Sequence, residues 1–373
     1  MENSFKVIRI WNIPIGVHPS WFLIFALVTF SLATSLMPAE YPQLNSGMHW
    51  LLAAATSLVF FLSVLAHELG HAYLALRNKV PVKGISLFFF GGVAQITEEP
   101  RTPGMEFKIA IAGPLVSLAL AVFFELVYLL EAEIPYLAAP SEYLARINLM
   151  LALFNMIPGF PLDGGRVFRS IVWKLSNNFK RSTEIAARIG QLVAFGFIGF
   201  GIYTALTAGF FNGLWFGFIG WFLLNAASSA YTQTAIQEKL EGITVEQVMQ
   251  RNYPIVPGNM TLERLVQEEV MGQGNQAFVV NGFEPDRRSG LLTLNDIKRV
   301  PLQKWRFLTT EQVMIPWERL TKLNPDTSLL DALKKMEESG LIQVPVVSES
   351  RVEGLISRDQ VLRYLRLRTE LGV

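Results

Sequence analysis

The stretch Val59–Leu74, V-F-F-L-S-V-L-A-H-E-L-G-H-A-Y-L, sets a His-Glu-x-x-His motif at the end of a run with almost no other polarity. On a helix, His67 and His71 stand four residues apart on one face, the spacing that lets two imidazoles grip one metal ion. Glu68 follows His67 directly and is placed to reach a water at such a site. An ionisable side chain at the centre of a membrane helix costs roughly 2.5–3.5 kcal/mol or more unless it is paired or lines a wet cavity. A compensating partner is therefore expected elsewhere in the chain.

Composition points to a membrane. The chain has 373 residues, 51% of them hydrophobic and only 17% charged, with a mean hydropathy of +0.34; a soluble domain of this size is more charged. A net charge of +1 gives no basis for nucleic-acid binding. Cysteine is absent, which excludes disulfides and thiolate metal sites. Metal ligands must come from His, Asp or Glu.

Around the motif, hydrophobicity predicts about six spans: Trp21–Met37, Trp50–Ala66, Phe107–Leu130, Ile147–Ile157, Ala194–Leu206 and Trp215–Ala227. Phe5–Val17 reads as an interfacial or strand-like lead-in, too mixed for a cleaved signal peptide. His18 stands at the boundary of the first span, as a cap or a further metal group. Ile85–Ile96 breaks the helical pattern, with aromatic and β-branched residues around Gly91 and Gly92. It reads as a small β-hairpin turning at the glycines. Such a hairpin is either a membrane-surface element or an edge strand able to pair with an extended substrate.

The fourth span runs into N155-M-I-P-G-F-P-L-D-G-G-R166, where two prolines and three glycines break the helix. Asp163 in this loop is either the N-cap of a following helix or a third metal ligand delivered from irregular chain. Lys and Arg alternate between connections. Lys6 and Arg9, then Arg77 to Lys108, then Arg166, Arg169 and their neighbours to Arg188 lie on one side, while the other three connections carry almost none. That pattern predicts both termini in the cytoplasm and sets Asp163 on the same side as His67 and His71, which favours the ligand reading.

Beyond Gln233 the composition becomes that of a soluble domain, after a linker at 234–243. Glu246-Gln247-Val248-Met249 recurs as Glu311-Gln312-Val313-Met314, and Gly290-Leu291-Leu292-Thr293 as Gly354-Leu355-Ile356-Ser357. One module used twice, at 244–300 and 301–373, resembles a pair of cystathionine-β-synthase (CBS) domains, a Bateman module. That resemblance implies a site for an adenine nucleotide (ATP, ADP or AMP) at Thr293 and Asp296, with Ser357 in the matching place of the second copy, where Gln360 replaces the Asp. A purely structural or dimerising pair is the other reading.

His67-Glu68-Leu69-Gly70-His71 together with Asn155-x-x-Pro158-x-x-Pro161-Leu162-Asp163-Gly164-Gly165 resembles the site-2 protease family, peptidase family M50, of intramembrane zinc metalloproteases. A C-terminal CBS pair resembles its CBS-bearing branch. Where much of the family has Gly-Pro-x-x-Asn, this chain has Gly113-Pro114-Leu115-Val116-Ser117. The resemblance implies an α-helical polytopic membrane domain at 1–233 plus a soluble α/β CBS pair. It implies one zinc ion on His67, His71 and Asp163, with Glu68 as general base of a zinc metalloendopeptidase. Asn155, Gly91 and Gly92 are then candidates to bind the substrate or its oxyanion. Asn155 is equally read as a helix C-cap.

The expected partners are the lipid bilayer, a single-span membrane protein such as an anti-sigma or pro-sigma factor, and a second copy joined through the CBS domains. A multi-pass protein of a prokaryotic inner membrane is the default. Two other classes fit parts of the sequence: a metal-binding membrane protein without protease activity, for which Glu68 has no use, and a nucleotide sensor on a vestigial core.

Overall fold

The computed structural model describes residues 4–96, 98–130, 134–207, 209–281, 288–348 and 351–371. Residues 131–133, in the expected connection after Leu130, lie outside that set. Two compact units divide the chain, Met1–Thr234 and Ala235–Val373.

The first unit opens with strands β1 (Phe5–Ile10) and β2 (Ile13–Val17), so the lead-in is a hairpin. Helix α1 (Pro19–Ser31) starts where proline fixes the first turn, and the His18 side chain accepts the Ser20 N–H as its N-cap. The boundary histidine is thus a cap, away from the His-Glu-x-x-His cluster. A wider turn at Leu32–Leu36 leads into α2 (Met37–Glu40). Helix α3 (Ser46–Arg77) begins at Asn45, whose side chain accepts the Met48 N–H, and carries the motif near its C-terminal end.

Strands β3 (Val82–Phe88) and β4 (Gly91–Ile96) follow. The four strands make one sheet in the order β1-β2-β3-β4, with β2 and β3 parallel, and β4 at the edge. The hairpin turns at Phe89 and Phe90 rather than at the glycines. Gly91, at φ 126°, closes that turn from the first position of β4.

Helices α4 (Pro103–Leu130), α5 (Pro135–Asn155), α6 (Asp163–Ser176), α7 (Phe179–Thr207) and α8 (Phe210–Leu240) complete the run. Among the described residues, four helical stretches are long and apolar enough to cross a membrane: Pro19–Glu40, Ser46–Arg77, Pro103–Leu130 and Phe179–Thr207. The other two expected spans fall in α5, which carries Glu142 and Arg146, and α8; neither joins the four. Residues 234–240, expected in a linker, are helical.

Packing in this unit is inverted relative to a water-soluble bundle. Large apolar side chains such as Phe22, Leu27, Phe30, Leu118, Val122, Phe123 and Leu126 are exposed, while Ala53, Ala72, Ala110, Ala186 and Ala194 are fully buried. Lipid gives helices no hydrophobic reason to associate, so small residues that bring backbones together occupy the contacts. The described helices belong to a membrane protein.

The second unit holds α9 (Val245–Val248), β5 (Ile255–Pro257), α10 (Leu262–Leu265), β6 (Ala277–Asn281), β7 (Arg288–Thr293) and α11 (Leu294–Lys298). The repeat gives α12 (Thr310–Val313), β8 (Ile315–Pro316), α13 (Leu329–Ser339), β9 (Gln343–Ser348), β10 (Arg351–Ser357) and α14 (Arg358–Leu371). Each repeat lends its opening turn to the other. Met249 packs with Val344 and Ile356, and Met314 against Phe278, Val280 and Leu292. Gly290 and Gly354 matter for the same reason: a Cβ there would press on Met314 and Met249 respectively. Neither repeat can close its core alone, which is why the module comes as a pair.

Candidate metal centre

Three side chains from two distant parts of the sequence meet in the first unit. His67 Nε2 lies 3.0 Å and His71 Nε2 3.1 Å from Asp163 Oδ2, and the two Nε2 atoms are 3.2 Å apart. Both histidines are buried and Asp163 nearly so. Asp163 is the first residue of α6, and Leu162 holds the N-cap position without any side-chain bond. The carboxylate is therefore not a cap.

The histidine tautomers follow from their outer nitrogens. His71 Nδ1 lies 2.7 Å from the Ile109 carbonyl, which can only accept, so Nδ1 carries the proton and Nε2 presents a lone pair. His67 Nδ1 is 2.8 Å from Ser117 Oγ, a hydroxyl able to accept in the same way. Ser117 stands where the related motif has Asn and still supplies a polar partner. With Ser117 accepting from His67 Nδ1, the lone pairs of two imidazoles and a carboxylate converge, an arrangement that a cation satisfies. A tetrahedral zinc with bonds of 2.0–2.1 Å spaces its ligands by about 3.3 Å, close to the separations seen. Helix α4 leaves room for this: a Cβ at Gly113 would meet His71 Nε2, and would stand 2.6 Å from His67 Nε2. The residues present fit the metal.

Glu68 borders the cluster on its other side. Its Oε2 accepts the Ala94 N–H of β4 at 2.9 Å. A Cβ at Gly92 would stand 2.5 Å from Glu68 Cγ, so Gly92 is a glycine because the carboxylate lies across it. A cavity of about 530 Å³ joins these pieces and is lined by His67, Glu68, His71, Gly91, Gly92, Asn155 and Asp163. Asn155 is the last residue of α5, and its Nδ2 donates to the Leu151 carbonyl at 3.1 Å.

The loop that delivers Asp163 is tightly seated. A Cβ at Gly164 would strike the Met156 backbone, and one at Gly165 the Gly159 backbone, so the two glycines after Asp163 let α6 start directly against the broken end of α5. Arg169, which the sequence reading counted as a loop charge, is instead buried at 4% exposure and paired with Glu106 of α4. The Gly-Pro-x-x-Asn likeness points to Gly113 and Ser117, whereas the signal for the Ile109 carbonyl and for Arg169 is tertiary and absent from the local sequence.

In the second unit, Thr293 and Asp296 form a capping box at the start of α11, with Thr293 N donating to Asp296 Oδ2 at 3.0 Å. Both line a cavity of about 270 Å³ together with Gln276, Arg299, Ile315 and Pro345. Ser357 is not among its lining residues; Ser357 and Gln360 cap α14 reciprocally, and Gln360 Nε2 donates to Gln250 Oε1 at 2.8 Å.

Two family models match the chain. The family model described as Peptidase family M50 matches residues 55–135 and 132–197, and the CBS domain model matches residues 311–367. A candidate zinc metalloprotease of Synechocystis sp. is 38% identical over 98% of this chain and 96% of that protein. Rip3, a candidate zinc metalloprotease of Mycobacterium tuberculosis, is 32% identical over 98% of this chain and 93% of its own. Among solved structures, the site-2 protease from Methanocaldococcus jannaschii is similar at 32% identity, covering 61% of this chain and 95% of that one, with a TM-score of 0.44. Near-complete alignment with zinc metalloproteases, across both the helical unit and the C-terminal repeat, makes this chain a member of the site-2 protease family of zinc metalloproteases, peptidase family M50, in its CBS-bearing form.

Proposed function

We propose that the chain is an intramembrane protease that cuts membrane-anchored proteins within or next to their single span, with His67, His71 and Asp163 as zinc ligands and Glu68 as general base. The observation that carries this reading is the placement of Glu68 between the three-ligand cluster and an edge strand, on the wall of one cavity. A metal-storage site has no use for that carboxylate. When bound, zinc supplies Lewis-acid chemistry, polarising the scissile carbonyl and acidifying a water.

The chain's own groups do the rest. Oε2 of Glu68 is engaged with Ala94, which leaves Oε1 to take the proton of the attacking water and pass it to the leaving amine nitrogen. Ile109 and Ser117 hold the imidazole rings in register. Asn155 lines the cavity near Asp163 and is assigned to the substrate carbonyl.

A substrate helix must unwind before hydrolysis, because its carbonyls are bound to its own N–H groups. We assign the edge of β4 that does not pair with β3, where Glu68 holds the Ala94 N–H, to the unwound segment. The Ala94 N–H points away from β3, and strand alternation puts the Gly92 N–H on the same open side, while Val93 and Gln95 face β3. An extended segment added there runs past Glu68.

The finer topology belongs to the same proposal: six spans, both termini and the CBS pair in the cytoplasm, and a prokaryotic inner membrane. Substrates of the anti-sigma or pro-sigma type fit a regulated intramembrane proteolysis enzyme. An adenine nucleotide at Thr293, Asp296 and Arg299 is the assigned CBS ligand, with the second copy's Ser357 outside it, and dimerisation through the pair is part of this reading.

The test is reconstitution with a single-span substrate, mass analysis of the products, and removal and return of zinc. Cleavage inside the span that stops with a chelator and returns with zinc is expected. Intact substrate throughout, by protein that binds zinc, would remove the protease assignment.

A further inference from the structure

Among the described residues of the helical unit, Arg169 and Glu106 are the only buried Arg, Lys, Asp or Glu side chains, at 4% and 0% exposure. They pair with each other: Arg169 Nε donates to Glu106 Oε1 at 2.6 Å. The guanidinium reaches four further side chains. Nη2 donates to Glu99 Oε2 at 3.2 Å, in the segment after β4, and Nη1 to Thr183 Oγ1 of α7 at 3.4 Å. Its Cζ lies over the rings of Phe160 and Phe179, 4.9 and 4.6 Å from their centroids.

None of these contacts is with His67, His71 or Asp163. Glu106 sits one turn before Ile109, whose carbonyl orients His71, and two turns before Gly113. Phe160 is three residues before Asp163, in the loop that delivers it. Arg169 itself lies on the helix that Asp163 begins. One planar group therefore braces the element that orients the histidines against the loop and helix that supply the third ligand.

The pair is poorly explained as a source of stability. A buried ion pair often stabilises no more than an apolar pair of the same volume, and here Glu106 Oε2 is buried with no hydrogen-bond partner. A fixed fork set over two aromatic rings gives position instead, which lysine cannot copy.

We propose that Arg169 is a positioning residue for the metal centre, holding Asp163 opposite His67 and His71 by locking α6 and the Phe160 loop to α4. This rests on the reading of those three residues as zinc ligands.

The test uses the full chain in lipid nanodiscs, as wild type, Arg169→Lys, Arg169→Met, Glu106→Gln and Asp163→Ala. Zinc affinity is measured by chelator competition, kcat and KM on a single-span substrate at saturating zinc, and stability by thermal unfolding. Arg169→Lys keeps the charge and, by loosening the Phe160 loop and α6 that carry Asp163, is expected to lose about 10-fold in zinc affinity, the lower end for disturbed support of a metal ligand. Its kcat should fall by roughly tenfold or more with KM within about twofold, as for loss of transition-state alignment. Glu106→Gln should move both in the same direction. If Arg169→Met does not fold, the other two variants decide. Wild-type zinc affinity and kcat in Arg169→Lys and Glu106→Gln, whatever their thermal stability, would overturn the proposal. Undiminished zinc binding in Asp163→Ala would instead overturn the ligand reading beneath it.

Discussion

Glu68 Oε2 accepts the Ala94 N–H at 2.9 Å, so the carboxylate of the His-Glu-x-x-His helix is held on the open edge of strand β4. The same carboxylate lies across Gly92, where no Cβ interferes. This contact joins the chemistry of the metal cluster to the place where an extended chain would be laid down.

Gly92→Ala should therefore act on the base and not on the metal. The added Cβ would meet Glu68 Cγ at 2.5 Å and push the carboxylate aside. We expect kcat to fall by roughly 10–100-fold, the scale of a misplaced acid–base group, with zinc content unchanged by metal analysis. Loss of zinc in this variant would mean that Gly92 supports the ligands instead.

Gly113→Ala should do the opposite. Its Cβ would occupy space between the two Nε2 atoms. Zinc binding should drop below detection in equilibrium dialysis, and activity with it, while the helical circular dichroism signal is kept.

Ser117→Ala removes the partner of His67 Nδ1. The expected cost is about 10–100-fold in zinc affinity, with activity restored when zinc is raised to saturation. A variant with wild-type affinity would show that the ring is held by packing alone.

Strand addition on β4 predicts a period of two along the substrate. N-methylation of alternate backbone amides near the scissile bond should raise KM, and methylation of the intervening amides should leave it unchanged. Uniform sensitivity, or none, would rule out pairing with the edge.

In the CBS unit, Asp296→Ala should weaken adenine nucleotide binding by roughly 10–100-fold, since hydrogen bonds to charged groups contribute about 1.5–3 kcal/mol. Gln360→Ala should leave it unchanged in calorimetry on the full chain, because Gln360 caps α14 and bonds Gln250. Thermal unfolding separates binding from the loss of the α11 cap, worth about 0.5–2 kcal/mol.

The chemistry was easier to read from the sequence than the packing around it. Spacing within one turn groups His67, Glu68 and His71, and charge alternation points to Asp163, which lies beside both histidines. The repeated Glu-Gln-Val-Met segments exposed the internal duplication, although not the exchange by which each enters the other's core. Local pattern failed where a residue answers to a distant one. Gly91 and Gly92 looked like a turn, yet the turn is Phe89–Phe90 and Gly92 makes way for Glu68. Arg169 looked like a loop charge because Glu106 lies 63 residues before it. The parallel pairing of β2 with β3 left no trace for the same reason, since its register is set across the whole of α3.

In the proposed reaction Glu68 moves the proton in peptide-bond hydrolysis beside a zinc held by His67, His71 and Asp163. The most direct measurement compares cleavage of a single-span substrate by wild type and Glu68→Gln in the same bilayer, with zinc counted in both. The account predicts about one zinc per chain in each and a rate at least 10²-fold lower in the variant, the lower end for a lost general base. Equal rates in the two, or no cleavage by zinc-loaded wild type, would contradict it.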